Sequence, residues 1–285
     1  MDLQKIQWFP GHMTKAMRMM EENVKLVDGV IFVLDARAPF ACENYSLEKM
    51  FANKPVLYLL NKSDLITESD RDYLVSAFEK AGKKAIFTNG ADSRGCKNVV
   101  SAFKELNKEK LERNALKGVT KILRAMVVGV PNTGKSTVIN CLSGKKVAQT
   151  GDKAGVTRGK QWIRLDGIEL LDTPGTMPPS IKNNALGLHL AYIGCLNDAL
   201  LDQSDLCFEL IKELLVICPE LLQEKYGVSS AVEPLEFYES VCKKRGFLLK
   251  GGDFDYDRAG KAIIDDFRKC RIGKICLEGK KTVVL

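Results

Sequence analysis

Three continuously apolar, β-branched runs mark the first third of the chain: residues 29–34 (GVIFVL), 56–60 (VLYLL) and 85–88. Each reads as a buried parallel strand, because a strand covered on both faces carries no polar alternation. Stretches rich in Glu, Lys and Leu separate them, giving a βαβ rhythm. Residues 101–121 are charged, lack proline and carry one glycine at 118, which predicts a helix leading into a connector. The rhythm restarts with strands predicted at 122–128, 162–165 and 168–171. Beyond Pro178 and Pro179 strands become hard to find. Segments 200–218 and 234–245 place apolar residues at three-to-four spacing, so the tail reads as helical. The pattern divides the chain into residues 1–178 and 179–285.

Composition agrees with that division. At 285 residues and 45% hydrophobic, there is material for a nucleotide-binding domain of about 150–180 residues plus a smaller partner. No run approaches the roughly 18 apolar residues of a membrane span, and the N-terminus lacks the apolar core of a secretory signal. A cytoplasmic location without membrane contact is expected. The nine cysteines are scattered and include no CxxC pair, so reduced, mostly buried thiols are expected rather than a disulfide framework. The net charge of +7 is uneven: +8 over residues 1–179, −7 over 180–239 and +6 over 240–285. A basic front and tail around an acidic middle would let two surfaces approach a polyanion, or would be ordinary solvated surface.

Residues 129–137 read GVPNTGKST, a GxxxxGK[ST] pattern lying between an apolar strand and a helical segment, VINCL. Gly129 and Gly134 permit a tight path that turns successive amides toward phosphate oxygens at the positive end of the next helix. Asn132, Thr133, Gly134, Lys135, Ser136 and Thr137 are therefore candidate phosphate-binding residues. Lys135 should reach the β- and γ-phosphates, and the Ser136 hydroxyl should ligate Mg²⁺. Downstream, LLDTPG sets Asp172 after an apolar strand, where an acid can hold the Mg²⁺ shell, and Gly175 where its amide can meet the γ-phosphate. Asp172 lies 37 residues after Lys135, with Thr157, a candidate Mg²⁺ ligand, in the loop between. Alone, Thr157 could equally serve an ST turn.

Asn61, Lys62 and Asp64 form NKSD at the end of the second apolar run. An Asp here can accept from the N1–H and 2-amino groups of guanine. Adenine has no such pair of donors and would leave the carboxylate unsatisfied, which supports discrimination of about 10⁴ or more. Asn61 should tie the base edge to the phosphate loop, and the Lys62 stem should cover the ring face. Asn89 and Gly90, in TNGADSRG after the third run, offer backbone amides to the base carbonyl. The usual order places the phosphate loop first; here both base segments precede it. The fold class that follows is α/β: a P-loop GTPase (Ras-like) parallel-sheet domain with circularly permuted motif order, G4-G5-G1-G2-G3, then a smaller all-α C-terminal domain. Permutation needs only joinable termini and a new opening in a surface connection.

With these motifs in this order, WFPGHM over residues 8–13 and DARAP over residues 35–39, the chain closely resembles the YlqF-type circularly permuted GTPases, the ribosome biogenesis GTPase A family. The resemblance covers residues 1 to about 178; the tail matches in length and helical character only. It implies a switch that hydrolyses GTP to GDP and phosphate, docks as an assembly factor on the immature large ribosomal subunit, contacts rRNA and is stimulated there. GTP/GDP, Mg²⁺ and the large-subunit precursor are the implied partners of a monomer. The resemblance also implies catalysis by His12, which suits Thr176 standing where many small GTPases place a water-orienting glutamine. Alternatively His12 caps or packs the first helix. It implies that Asn132 ligates K⁺ in place of an arginine finger, or else stabilises the loop turn. His189, in the apolar LGLHLAY, reads as a packed core residue. RNA phosphates are expected at the N-terminal helix, at Lys243, Lys244 and Arg245, and at Arg268, Lys269, Arg271 and Lys274. The alternative is a GTPase of another RNA-related process, such as tRNA modification or translation.

Overall fold

The structure is a computed structural model and describes residues 11–148, 161–181 and 183–282. Six strands form one sheet: β1 (Gly29–Asp35), β2 (Val56–Asn61), β3 (Lys84–Phe87), β4 (Leu123–Val128), β5 (Gln161–Leu165) and β6 (Ile168–Asp172), in the order β3-β2-β1-β4-β6-β5. β1 is buried at every position, as an apolar run with no polar face must be. Its side chains alternate between two cores. Val30, Phe32 and Leu34 join Tyr58, Leu60 and Met126 on one face; Ile31 and Val33 join Leu57, Leu59 and Val127 on the other.

The first five strands of that order pair in parallel, and β5 runs antiparallel to β6. The sheet is thus mostly parallel, as expected of a P-loop GTPase domain, with one antiparallel edge strand. Only Asp166 and Gly167 connect Leu165 to Ile168, Gly167 at φ 79°, and so short a link can close a hairpin but not a parallel crossover. The helix expected over 101–121 is two, α4 (Val99–Leu106) and α5 (Lys108–Ala115), and starts earlier. Asn107 separates them and bonds its side chain back to the Phe103 carbonyl at 3.0 Å, the local competition that makes Asn a poor helix-interior residue.

The second core is capped by α4 and by α6 (Lys135–Ser143) through Val99, Phe103, Val138 and Ile139. The first is capped by α1 (Gly11–Asn23) and α3 (Glu68–Lys80), with α2 (Tyr45–Met50) alongside through Leu47. That same core continues into the tail helices, α7 (Asn184–Tyr192), α8 (Gln203–Ile217), α9 (Pro219–Tyr226), α10 (Pro234–Arg245) and α11 (Tyr256–Arg268). α8 is the tail's axis: Leu206, Leu210, Ile211 and Leu214 are buried at helical spacing. α11 lies across it so closely that a Cβ on Gly260 would come within 2.6 Å of the Gln203 carbonyl.

After α11 the chain returns to the sheet domain. The Ile275 amide donates to the Leu65 carbonyl at 3.1 Å and the Leu277 amide to the Arg37 carbonyl at 2.7 Å. The Glu278 carboxylate accepts from the amides of Phe40 and Ala41 at 2.6 and 3.0 Å. It also holds His189 Nδ1 at 2.9 Å, while Glu213 holds Nε2 at 2.8 Å. His189 is buried, as its apolar surroundings suggested, but it is an ion bridge rather than a neutral packing residue. Burial alone would lower its pKa; hydrogen bonds and charge from Glu213 and Glu278 raise it from 6.5 to about 9.

A folded pKa above the unfolded one contributes stability that is complete below about pH 6.5 and disappears as pH rises through 9. A shift of that size is worth at most about 3 kcal/mol. The thermal midpoint of the wild type should therefore fall by about 5 °C more than that of His189→Gln between pH 7 and 9.5. Parallel midpoint-versus-pH curves for the two proteins would refute the ion bridge.

Candidate functional site

β1 and β4 are neighbours whose chain continuations diverge, the place where open α/β sheets bind ligands at the strands' carboxyl ends. β4 passes there into Gly129, at φ 150°, where any Cβ would collide with the Val33 carbonyl. Asn132 takes a left-handed φ of 62°, and Gly134, at φ 91°, caps the start of α6. The loop closes on itself: Thr133 Oγ1 and Lys135 Nζ both donate to the Val130 carbonyl, at 3.1 and 2.8 Å. Lys135 is buried, which pushes its pKa down to about 8, with the charge of Asp172 opposing the fall. An ammonium so placed gains most from an anion in the loop. Ser136 and Thr137 stand half-buried on the first turn of α6.

The DTPG segment lies against this loop. Asp172 is buried and faces Val127 across the β4–β6 ladder. Thr173 Oγ1 donates to the Val127 carbonyl at 2.6 Å, and the Thr176 amide to the Gly129 carbonyl at 3.2 Å. A Cβ on Gly175 would approach Pro131 and, at 2.9 Å, Lys135 Nζ. The donor set of one hydroxyl, Ser136, and one buried carboxylate, Asp172, is hard oxygen throughout and fits Mg²⁺. Thr157 lies outside the described residues.

Asn61 brings the base segments to the phosphate loop. Its Nδ2 donates to the Thr133 carbonyl at 2.8 Å, while Oδ1 accepts from the Gly90 amide at 3.0 Å and Thr88 Oγ1 at 3.2 Å. One buried amide thus joins NKSD, the TNG segment and GVPNTGKST. Lys62, at φ 59°, reaches the Asn132 carbonyl at 2.8 Å. Asp64 is exposed on a 3₁₀ turn, Ser63–Leu65, which Arg71 braces by donating to the Ser63 carbonyl at 2.6 Å. Asn89 turns its loop through its own side chain, accepting from the Ala91 amide at 3.0 Å. Gly90 packs so near α6 that a Cβ would sit 3.0 Å from the Val138 nitrogen.

DARAP carries a part of the site that motif reading left unused. Asp35 ends β1 beside Asn61 in the β1–β2 register, fully buried. Arg37 Nε and Nη2 donate to its two oxygens at 2.9 and 2.8 Å, and Lys62 Nζ lies 2.8 Å from Oδ2. Burial would raise this carboxyl's pKa, but Arg37 and Lys62 hold it well below the usual carboxylate range. The signal in the sequence was a pair of opposite charges two residues apart at the end of a fully apolar strand.

Of the expected RNA-contact residues, Lys243, Lys244, Arg245 and Lys274 are exposed; Lys244 bonds the Gly227 carbonyl and Arg245 lies over the Tyr226 ring. Arg268 is tied to its own chain. It is bound by Asp198 at 2.6 and 2.8 Å and by the carbonyls of Ala191 and Tyr192 at 2.7 and 2.9 Å, so it serves the tail's own packing. Lys269 is partnered by Asp265, one helical turn before it, and Arg271, just past the end of α11, folds back on Asp265 and Asp266. The Asn132 side chain, expected to face a cation, donates its amide to the Gly194 carbonyl at 2.6 Å. The backbone of residue 12 lies in α1; the His12 side chain is outside what the structure describes.

A family described as 50S ribosome-binding GTPase matches residues 124–230. The chain is 38% identical to the ribosome biogenesis GTPase A of Bacillus cereus over 96% of its own length and 93% of the relative's. It is 34% identical to that of Thermotoga maritima, over 96% and 94%, and 31% identical to the mouse mitochondrial ribosome-associated GTPase 1, over 95% and 90%. The crystal structure of GNP-bound YlqF from T. maritima superposes with a TM-score of 0.64 at 32% identity, covering 93% of this chain and 98% of the other.

The loop geometry predicts the effect of one methyl group. Gly134→Ala would strain a φ of 91° and push into the Asn61 amide, destabilising the fold by about 2 kcal/mol or more. Urea unfolding should show that loss, and titration with a fluorescent GDP analogue should show little binding. Wild-type affinity in this variant would refute the assignment of the loop.

Proposed function

The chain belongs to the ribosome biogenesis GTPase A family and is a GTPase acting in ribosome biogenesis, and from that premise we propose that it is a cytoplasmic switch for assembly of the large subunit, contacting rRNA. The observation that carries the site reading is Asn61, whose one side chain links the base segments to the phosphate loop. In this reading Asp64 accepts from the guanine edge, Lys62 covers the ring, and Asn89 and Gly90 shape the loop beside the base. Their own amides donate to the Gly95 carbonyl and to Asn61 Oδ1, rather than to the base carbonyl as expected. The amides of residues 132–137 and Gly175 cradle the phosphates with Lys135. Ser136 and Asp172, with Thr157, would hold Mg²⁺, which when bound neutralises charge on the β- and γ-phosphate oxygens.

Hydrolysis requires a positioned water, and the Thr176 side chain has no amide group with which a glutamine would position it. We assign that role to His12, and we assign K⁺ to Asn132 as the compensating charge; both rest on the family resemblance. The Asn132 side chain would then have to leave Gly194 when the cation binds. Lys243, Lys244, Arg245 and Lys274 offer a surface for RNA phosphates.

Sedimentation with isolated large-subunit precursor tests the switch. Co-migration should be strong with a non-hydrolysable GTP analogue and weak with GDP; co-migration that ignores the nucleotide would sink it. On the particle, turnover should fall about 10-fold or more in His12→Ala, and again when NaCl replaces KCl, with nucleotide affinity unchanged. Wild-type turnover in either case removes that assignment.

A further inference from the structure

Lys62 belongs to the base-binding segment and Arg268 to the far end of the tail, yet one carboxylate stands between them. Oδ2 of Asp35 contacts both Lys62 Nζ and Arg37 Nη2, each at 2.8 Å. Oδ1 accepts from Arg37 Nε at 2.9 Å and from the Arg37 amide at 3.1 Å, so the carboxylate cannot rotate without breaking several bonds. Lys62 is thereby held with its ammonium also on the Asn132 carbonyl of the phosphate loop. Arg37 uses its remaining nitrogen, Nη1, to donate to the Arg268 carbonyl at 3.1 Å, at the last residue of α11, and its guanidinium lies 5.5 Å from the centre of the Phe267 ring. Arg268 in turn grips the end of α7 through the Ala191 and Tyr192 carbonyls, and Asn132 reaches the same turn at Gly194. Asp35 and Arg37, at the centre of this chain of contacts, are buried, where charged hydrogen bonds are little screened by water, while Lys62 and Arg268 at its ends are partly exposed.

We propose that Asp35 is a positioning residue for the nucleotide site, holding Lys62 over the base, and that the Asp35–Arg37 pair couples occupancy of that site to the seating of α11. The proposal rests on the reading of Lys62 as a base-site residue. Nucleotide packed against the Lys62 stem fixes the ammonium on Asp35; that fixes the carboxylate, and the carboxylate sets the orientation of the guanidinium that bonds α11. Two discrete arrangements of one buried pair are enough to carry such coupling.

The test is a double-mutant cycle read by affinity for a fluorescent GDP analogue. Asp35→Asn and Lys62→Met should each weaken GDP by about 10-fold, and the double variant should stay within about 2-fold of Lys62→Met, because Asp35 acts through Lys62. Asp35→Asn strands a buried guanidinium and could unfold the chain, so Asp35→Asn/Arg37→Met, which removes both charges, is measured beside it and should bind as weakly as Asp35→Asn. The second readout is amide exchange over residues 265–271. Saturating GDP should slow it several-fold in the wild type and leave it unchanged in Asp35→Asn/Arg37→Met held at saturating GDP. Additive losses in the cycle, wild-type affinity in the folded charge-free variant, or an exchange difference that survives there would each overturn the proposal. Lys62→Met and Asp64→Asn both binding GDP normally would instead refute the base-site reading on which it stands.

Discussion

The side-chain amide of Asn61 has one donor group and one acceptor oxygen, and it directs them to two different loops. Both partners, the Thr133 carbonyl and the Gly90 amide, are backbone groups of segments far apart in sequence, and Asn61 itself is buried. Each such bond contributes about 1 kcal/mol, but an unmade one inside the protein costs about 1–3 kcal/mol. That asymmetry selects the arrangement in which strand ends, base loops and phosphate loop all meet. It also explains why permutation of the motif order is tolerated: the ties that assemble the site are tertiary, and none depends on which loop is synthesised first.

Ordering a loop residue costs about 1–2 kcal/mol of entropy, so a few hydrogen bonds do not hold several loops rigid unaided. The sheet supplies most of the order by fixing both ends of each loop. β1, β2 and β4 end side by side, and their apolar side chains, each worth about 1.5–3 kcal/mol when buried, leave the register no freedom. In the proposed reading a bound anion near the buried Lys135 would supply the rest.

The tail is attached to this site by charge as well as by packing. A single apolar core passes from the sheet into α8 and α11, which makes the two halves mechanically continuous. On top of that core sit buried ionic joints: Asp35 with Arg37 and Lys62, and His189 with Glu213 and Glu278. The first lies within the sheet domain and the second within the tail. Burying such groups is favourable only when every member is paired. The hydrogen bonds by which each joint reaches the other half, from Arg37 to the Arg268 carbonyl and from the Phe40 and Ala41 amides to Glu278, then favour one docked position of the tail.

The sequence by itself determined β1, β2, β4 and β6, because an apolar run without alternation fits the sheet interior. The third run, read as buried too, is the edge strand β3, where no residue is fully buried. The sequence also supplied the motifs read as phosphate and base segments, with glycines, lysine, hydroxyls and acids at fixed local offsets, and the fold brings those segments together at the strand ends. The antiparallel edge strand was legible only through the two-residue link before β6. What tertiary structure decided was the use of charge. Arg268 read as a surface cation and is bound to Asp198 and carbonyls of α7; His189 read as packing and is an ion bridge; Asp35 and Arg37 read as a family signature and link Lys62 to the end of α11. Their partners come from distant parts of the chain, up to 231 residues away for Arg37 and Arg268, and a Coulomb interaction depends on distance through space, which local sequence does not record.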